Sequence, residues 1–202
     1  MSQSGPQVSD QRTADVQASL RVRLKDAWVV EFSNLRWKLL LCTLLARLLP
    51  EGRATGLRAL LVRAIGLHIG AGTRFQGMPK IQSSHPGPLG PRLQIGTHCA
   101  IGSRVILEFG EVLAIGDRVS IADGVVILTT THQLGPKEHR AGPIVRSPVS
   151  IGNDVVIGAD AIILPGATIG DAARVLPNSV VNASVAPGVT VSGIPARPLR
   201  QA

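Results

Sequence analysis

Val149-Ser150-Ile151-Gly152-Asn153-Asp154-Val155-Val156-Ile157-Gly158-Ala159-Asp160-Ala161-Ile162-Ile163-Leu164-Pro165-Gly166-Ala167-Thr168-Ile169-Gly170 carries an aliphatic residue at every sixth position, and the period runs on through Val175 and Val181. An amphipathic helix repeats at about 3.6 residues and a half-buried strand at about 2, so this period belongs to neither. Going back along the chain, the same hexads occur at Ile115, Ile121 and Ile127, and, across a two-residue slip near Gly110, at Ile95, Ile101 and Leu107. A first set, Ile69, Phe75 and Ile81, precedes a Pro/Gly-rich excursion from Gln82 to Arg92. A lone hexad cannot bury its apolar side chain, whereas stacked copies make a continuous column. Fifteen such positions at three per coil make five coils. The expected fold is an all-β solenoid, a prism with three flat faces. Neighbouring coils should sit about 4.8 Å apart, with backbone hydrogen bonds along the axis. The small or acidic residue after each apolar one is expected to turn the corner.

The composition suits thin coils. The chain has 202 residues, no tyrosine, two tryptophans and three phenylalanines, so its core is built from Val, Ile, Leu and Ala. The apolar fraction is that of a globular protein. Cys42 and Cys99 are too few for a disulfide framework and show no zinc spacing. They fit a reducing compartment. The first 26 residues are polar and of mixed charge, unlike a secretory signal, and the expected location is cytoplasmic. The net charge is +8, with the basic excess leaning to the N-terminus, which favours anionic partners. No recognition motif or stacking platform accompanies that charge, so nucleic acid is not expected.

Three segments follow. Residues 1–13 are Ser-, Gln-, Gly- and Asp-rich and read as a disordered tail. Residues 14–67 read as an N-terminal helical segment: Leu35, Leu39, Cys42, Ala46 and Leu49 fall at helical spacing, and Pro50-Glu51-Gly52 ends that run. A second helix is expected from Leu57 to Ile65, with Arg58 and Arg63 outward. The uncharged run from Leu39 to Ala46 is far shorter than the roughly 20 residues a membrane span needs. It suits either packing against the solenoid or a neighbouring subunit, or peripheral membrane contact, with Trp28, Phe32 and Trp37 entering the headgroup boundary. Residues 68–200 form the solenoid.

The hexads break after Ile127 into a polar loop that opens Thr129-Thr130-Thr131-His132 and contains Glu138-His139-Arg140. They resume at Ser147-Pro148-Val149-Ser150-Ile151. Downstream lie Leu164-Pro165-Gly166-Ala167-Thr168-Ile169-Gly170 and a closing Gly193-Ile194-Pro195-Ala196-Arg197, then Arg200. These residues resemble the hexapeptide-repeat acyltransferases, and among them the galactoside and maltose O-acetyltransferase group.

The resemblance implies a left-handed parallel β-helix, a hand that general crossover rules oppose in about 98% of cases. It implies a homotrimer with sites between subunits, acetyl-CoA as acyl donor and no metal. It makes His132 the base that takes a proton from an acceptor hydroxyl, as imidazole can near neutrality. It makes the Ala159 N–H the donor to the oxyanion. Gly158, Ala159, Pro177, Arg197 and Arg200 would line the coenzyme groove, the arginines meeting phosphate. Glu108, Glu111 and His139 are candidate acceptor contacts. His68, His85 and His98 read as structural.

The chain departs from the family pattern in three places. Val156 stands where a Trp is usual, Asn182-Ala183-Ser184 lacks a lysine, and Gly102 replaces a substrate-binding asparagine. The expected activity is acetylation of a carbohydrate hydroxyl in surface or secreted polysaccharide synthesis. N-acetylation of a nucleotide-linked amino sugar and a noncatalytic trimeric scaffold for membrane or acidic partners remain alternatives. A zinc-binding carbonic anhydrase of the same fold is disfavoured, because Ile157-Gly158-Ala159-Asp160-Ala161-Ile162 lacks histidines where that family pairs them.

Overall fold

Short strands separated by tight turns follow directly from the hexads, since each repeat supplies about two extended residues and then a corner. The computed structural model describes residues 44–45, 48–49, 54–64, 66–83 and 91–199, all within one compact unit that spans residues 39–202. Tail residues 1–13 and most of the N-terminal helical segment lie outside the described residues, as does Arg200.

The described chain is a left-handed parallel β-helix preceded by helix α1, Thr55–Ala64. Its first face stacks β1 (His68–Ile69), β4 (Leu93–Ile95), β7 (Leu113–Ile115), β12 (Val149–Ile151) and β15 (Thr168–Ile169). The second stacks β2 (Arg74–Phe75), β5 (Ala100–Ile101), β8 (Ser120–Ile121), β13 (Val156–Ile157), β16 (Arg174–Val175) and β18 (Thr190–Gly193). The third stacks β3 (Lys80–Gln82), β6 (Ile106–Glu108), β9 (Val126–Ile127), β14 (Ile162–Ile163) and β17 (Val180–Val181). These are the five coils expected. A further partial coil, formed by the bridge of Val185 to Ile169 and by β18, is closed by antiparallel β19, Ala196–Pro198.

All fifteen hexad positions face inward, Ile69 and Ile81 partly buried at the first coil and the rest buried. Every hexad also sends inward the residue two positions earlier: Leu67, Thr73, Pro79, Leu93, Cys99, Val105, Leu113, Val119, Val125, Val149, Val155, Ala161, Ala167, Ala173 and Ser179 are all buried. The corner is turned elsewhere than expected. The left-handed backbone that bends the chain falls three residues before the hexad position, at His98, Arg104, Arg118, Asp154, Asp160, Ala172 and Asn178, with φ between 54° and 57°. The small residue after the hexad position serves close stacking instead. A Cβ on Gly96 would lie 2.5 Å from the Gly116 carbonyl oxygen of the next coil.

The corner between the first and second faces is tied by side chains that accept backbone amides. Asp117 Oδ1 takes the Thr97 N–H at 2.6 Å, Asn153 Oδ1 takes that of Asp117 at 2.8 Å, and Asp171 Oδ1 takes that of Asn153 at 2.7 Å. The Thr97 amide and hydroxyl hold the Asp117 carboxyl below its usual range.

Helix α1 spans the expected second helix, and Ala59 and Val62 bury its inner face against β1 and β2. The arginines do not point outward as helical spacing suggests. Arg58 is 1% exposed and donates through Nη1 to the Gln76 carbonyl and through Nη2 to that of Leu49. Arg63 donates to the carbonyls of Ile69 and Gly70. The reason is the open edge of the first coil, where β1, β2 and β3 lack an upstream neighbour. Charged donors satisfy carbonyls there that no strand can reach.

Among the described residues no helix is long and apolar enough to cross a membrane.

Gly96→Ala is expected to cost about 1–3 kcal/mol of unfolding free energy through the clash with the next coil. Gly56→Ala, in α1 with nothing within 4 Å of its added Cβ, is expected to stabilise by about 0.5–1 kcal/mol. Denaturant midpoints of the two variants against the parent check both signs.

Candidate active site

The excursion between the third and fourth coils is a β-hairpin rather than a polar loop. Strand β10 (Thr130–Leu134) pairs antiparallel with β11 (Ala141–Arg146), with Thr130 opposite Arg146 and His132 opposite Ile144. A bulge between His132 and Leu134 shifts the register towards the tip. The neck is closed by the Ser147 N–H donating to the Thr129 carbonyl at 2.9 Å.

His132 is exposed, and its Nδ1 lies 2.8 Å from the carbonyl oxygen of Gly142 on the opposite strand. A carbonyl only accepts, so Nδ1 carries the proton, and in the neutral ring the lone pair sits on Nε2. One backbone group thus selects the tautomer and fixes the ring, leaving Nε2 as the basic nitrogen. Gly142 had no sequence signal because its contribution is a main-chain oxygen. The lack of a side chain there does matter, since a Cβ on Gly142 would lie 2.8 Å from the Gln133 carbonyl oxygen.

At the corner between the second and third faces, the Asp123 carboxylate takes the Ser103 N–H at 2.8 Å. The series then stops, because the following coils carry Ala159 and Pro177 at the same position, neither with a side-chain acceptor. The Ala159 N–H donates to no other group among the described residues. Gly158 lies tight against Pro177, with a Cβ there only 2.5 Å from the Pro177 nitrogen. Gly158, Ala159, Pro177 and Gly193 therefore follow one edge of the prism in axial order, and the Gly193 N–H is held by Ser179 Oγ at 3.3 Å. Arg197 sits just beyond, exposed on β19 opposite Ser192, with Nη1 donating to the Ala196 carbonyl. A cavity of about 320 Å³ beside it is lined by Asn182, Ala183, Ser184, Val189 and Pro198 among others.

The remaining candidates are placed as follows. Glu108 Oε2 accepts the N–H groups of Thr129 and Thr130 at 3.0 and 3.2 Å, at the root of the hairpin. Glu111 Oε1 accepts the Val112 N–H and lies 3.6 Å from Arg92 Nη1. His139 is exposed at the tip, seven residues from His132. His68 is exposed on β1 and His98 at a corner. Among the described residues no three His, Cys, Asp or Glu side chains converge as a metal-ligand set. Within one chain His132 and Ala159 stand at opposite edges of the third face, the hairpin leaving after β9 and Ala159 preceding β14.

The profile of the bacterial transferase hexapeptide (six repeats) family matches residues 148–183. The crystal structure of a hexapeptide-repeat-containing acetyltransferase from Vibrio cholerae is 30% identical, covers 84% of this chain and 92% of its own, and superposes with a TM-score of 0.71. This chain belongs to the hexapeptide-repeat acetyltransferases. That same Vibrio cholerae protein complexed with acetyl coenzyme A matches at 27% identity, with 84% and 88% coverage and a TM-score of 0.54. The galactoside O-acetyltransferase of Escherichia coli K12 is 31% identical over 112 residues, 55% of each chain. Nodulation protein L of Rhizobium meliloti is 45% identical over 109 residues, 54% of this chain and 59% of the relative. The chain thus spans little more than half the length of these curated relatives. The left-handed coil that this family shares is the hand found here.

The ring geometry of His132 has a direct check. Nitrogen-15 NMR of ring-labelled protein, with the signals assigned by His132→Gln, is expected to show Nδ1 protonated and Nε2 unprotonated in the neutral form. The reverse pattern would mean that the Gly142 carbonyl does not hold the ring.

Proposed function

We propose that this hexapeptide-repeat protein transfers an acetyl group from acetyl-CoA to a carbohydrate hydroxyl, with His132 as general base. The observation that carries the reading is the exposed His132 ring, locked through Nδ1 to the Gly142 carbonyl so that Nε2 holds the lone pair. Nε2 takes the acceptor's hydroxyl proton as that oxygen attacks the thioester carbonyl. The oxyanion that forms needs a fixed donor, and the unengaged Ala159 N–H is of the right kind. Collapse expels the coenzyme thiolate, which recovers the proton from His132. The edge through Gly158 and Pro177 offers backbone close to a pantetheine chain, and Arg197 with Arg200 offers guanidinium to its phosphates. Glu111 and His139, beneath and on the hairpin, are the polar groups proposed for the acceptor, whereas Glu108 spends its carboxylate on the Thr129 and Thr130 amides. The names of the galactoside enzyme and of the acetyl-CoA complex support donor and acceptor class. Surface or secreted polysaccharide synthesis is the proposed setting.

The site is proposed to form between copies in a homotrimer. Base and oxyanion donor occupy opposite edges of the third face, so each can meet its counterpart from a neighbour. The outward residues support this choice of face. The first face shows His68, Gln94, Ala114, Ser150 and Thr168 in register, while the third shows Lys80 in its first coil and then Ile106, Val126, Ile162 and Val180. Four aliphatic rungs in succession on one face of the prism call for a partner. Peripheral membrane contact is proposed for the N-terminal segment, where Leu44, Leu48, Leu57 and Leu60 are exposed.

Thiol release from acetyl-CoA over a panel of oligosaccharides and nucleotide sugars tests the reaction. His132→Ala is expected to lower kcat/KM by about 10² to 10⁴. Full activity in that variant removes His132 from the mechanism, and absence of both acetyl-CoA binding and release removes the enzyme reading. Ile162→Asp is expected to break the trimer in sedimentation velocity and abolish activity; a parent chain that sediments as a monomer rules out a shared site.

A further inference from the structure

Where the chain leaves the solenoid, the residues at the exit lose the coil partners that backbone groups elsewhere enjoy. Leu128 still donates to Ile163 of the fourth coil, but the Thr129 and Thr130 amides have no coil to meet, because the next residues run out into the hairpin. Thr129 is fully buried, so its amide cannot turn to water. One carboxylate answers for both: Glu108 Oε2 accepts from Thr129 N at 3.0 Å and Thr130 N at 3.2 Å. Around this point every polar group of Thr129 is engaged. Its hydroxyl accepts the Glu111 N–H at 3.1 Å and approaches the Glu108 carbonyl at 3.3 Å, and its carbonyl takes the Ser147 N–H.

The position of Glu108 is unusual in its own repeat. It follows Leu107 at a place taken by Gln82, Leu128, Leu164 and Asn182 in the other coils, so it alone brings a carboxylate there, one coil below the exit on the edge from which β10 departs. A side chain long enough to reach the next coil is found at the corner where that coil's chain departs. His132 is two residues beyond Thr130 on a short strand, so the direction in which Thr129 and Thr130 leave sets where the imidazole stands.

We infer that Glu108 is a positioning residue: its carboxylate, bound to the Thr129 and Thr130 amides, fixes the exit direction of the hairpin and through it the site of His132. The catalytic consequence rests on the acetyltransferase reading; the structural one does not. Positioning differs from direct acceptor contact in one respect. The carbonyl oxygen of a glutamine can accept the same two amides, so the role needs an acceptor at that point but no charge.

The test compares Glu108→Ala and Glu108→Gln with the parent by peptide-resolved hydrogen exchange and by steady-state kinetics. In Glu108→Ala, exchange is expected to rise across residues 129–147 while β13 to β16 keep parental protection. Its kcat is expected to fall by about ten- to a hundredfold, the scale of a misplaced reactive group. The KM for acetyl-CoA should stay within about twofold, since the coenzyme edge is untouched. Glu108→Gln is expected to restore both protection and most of the turnover. The inference is overturned if Glu108→Ala leaves exchange in the hairpin unchanged. It is equally overturned if Glu108→Gln loses turnover as Glu108→Ala does with exchange intact, which assigns the charge to the acceptor instead. Should Glu108→Ala fail to fold, Glu108→Asp, which withdraws the carboxylate by one methylene, is read by the same criteria. If the parent protein acetylates nothing, the exchange comparison alone decides for or against the pin.

Discussion

Backbone hydrogen bonding along the axis, coil to coil, is the constraint from which the remaining features follow. It places each hexad directly over its predecessor: Ile151 lies against Ile115 and Ile169, and Ile157 against Ile121 and Val175. Once coils are held at strand spacing, the interior of the prism is set and two side chains per hexad must fill it. That accounts for a core of Val, Ile, Leu and Ala in which Phe75 and Phe109 are the buried rings among the described residues. It also accounts for glycine at the stacked corners, where the backbones of successive coils leave no room for a methyl group.

The same constraint decides where polar groups go. Each corner presents an amide to the coil beyond it, and at the first-to-second corner a run of Asp and Asn side chains accepts them one after another. At the second-to-third corner the run ends at Asp123, and the edge beyond carries Ala159 and Pro177. The solenoid is thus closed with its own side chains along one edge and left with an unengaged donor along another. Ends of the stack follow similar logic, with Arg58 and Arg63 serving the open first coil and β19 folding back over the last.

Much of this was legible in the sequence, and what was not has physical reasons. One member of each inward pair, a large apolar residue every six positions, announces itself. The member two residues earlier ranges over Leu, Thr, Pro, Cys, Val, Ala and Ser, polar and apolar alike, so no class pattern reveals it. Helical spacing places Arg58 and Arg63 outward because it weighs side chains against water and ignores bare strand carbonyls nearby. His132 stood out at a break in the repeats, with its role taken from resemblance. The hairpin did not stand out, since Thr130-Thr131-His132-Gln133-Leu134 lacks the apolar alternation of a half-buried strand and both its strands are largely solvent-exposed. Nor did Gly142, whose part is played by an oxygen that every residue possesses.

The hairpin enters and leaves the solenoid at a single corner, and the rungs on either side keep register as though it were absent: Val149, Ser150 and Ile151 lie opposite Leu113, Ala114 and Ile115. In a stack whose stability is a sum of neighbour contacts, such an insertion disturbs only its own neck. Lengthening a loop costs little, about 0.6 kcal/mol for each doubling. The segment that carries His132 can therefore change in length and composition without disturbing the edge through Gly158, Ala159 and Pro177, which the coils themselves hold. One is built into the architecture and the other is attached to it at a single neck.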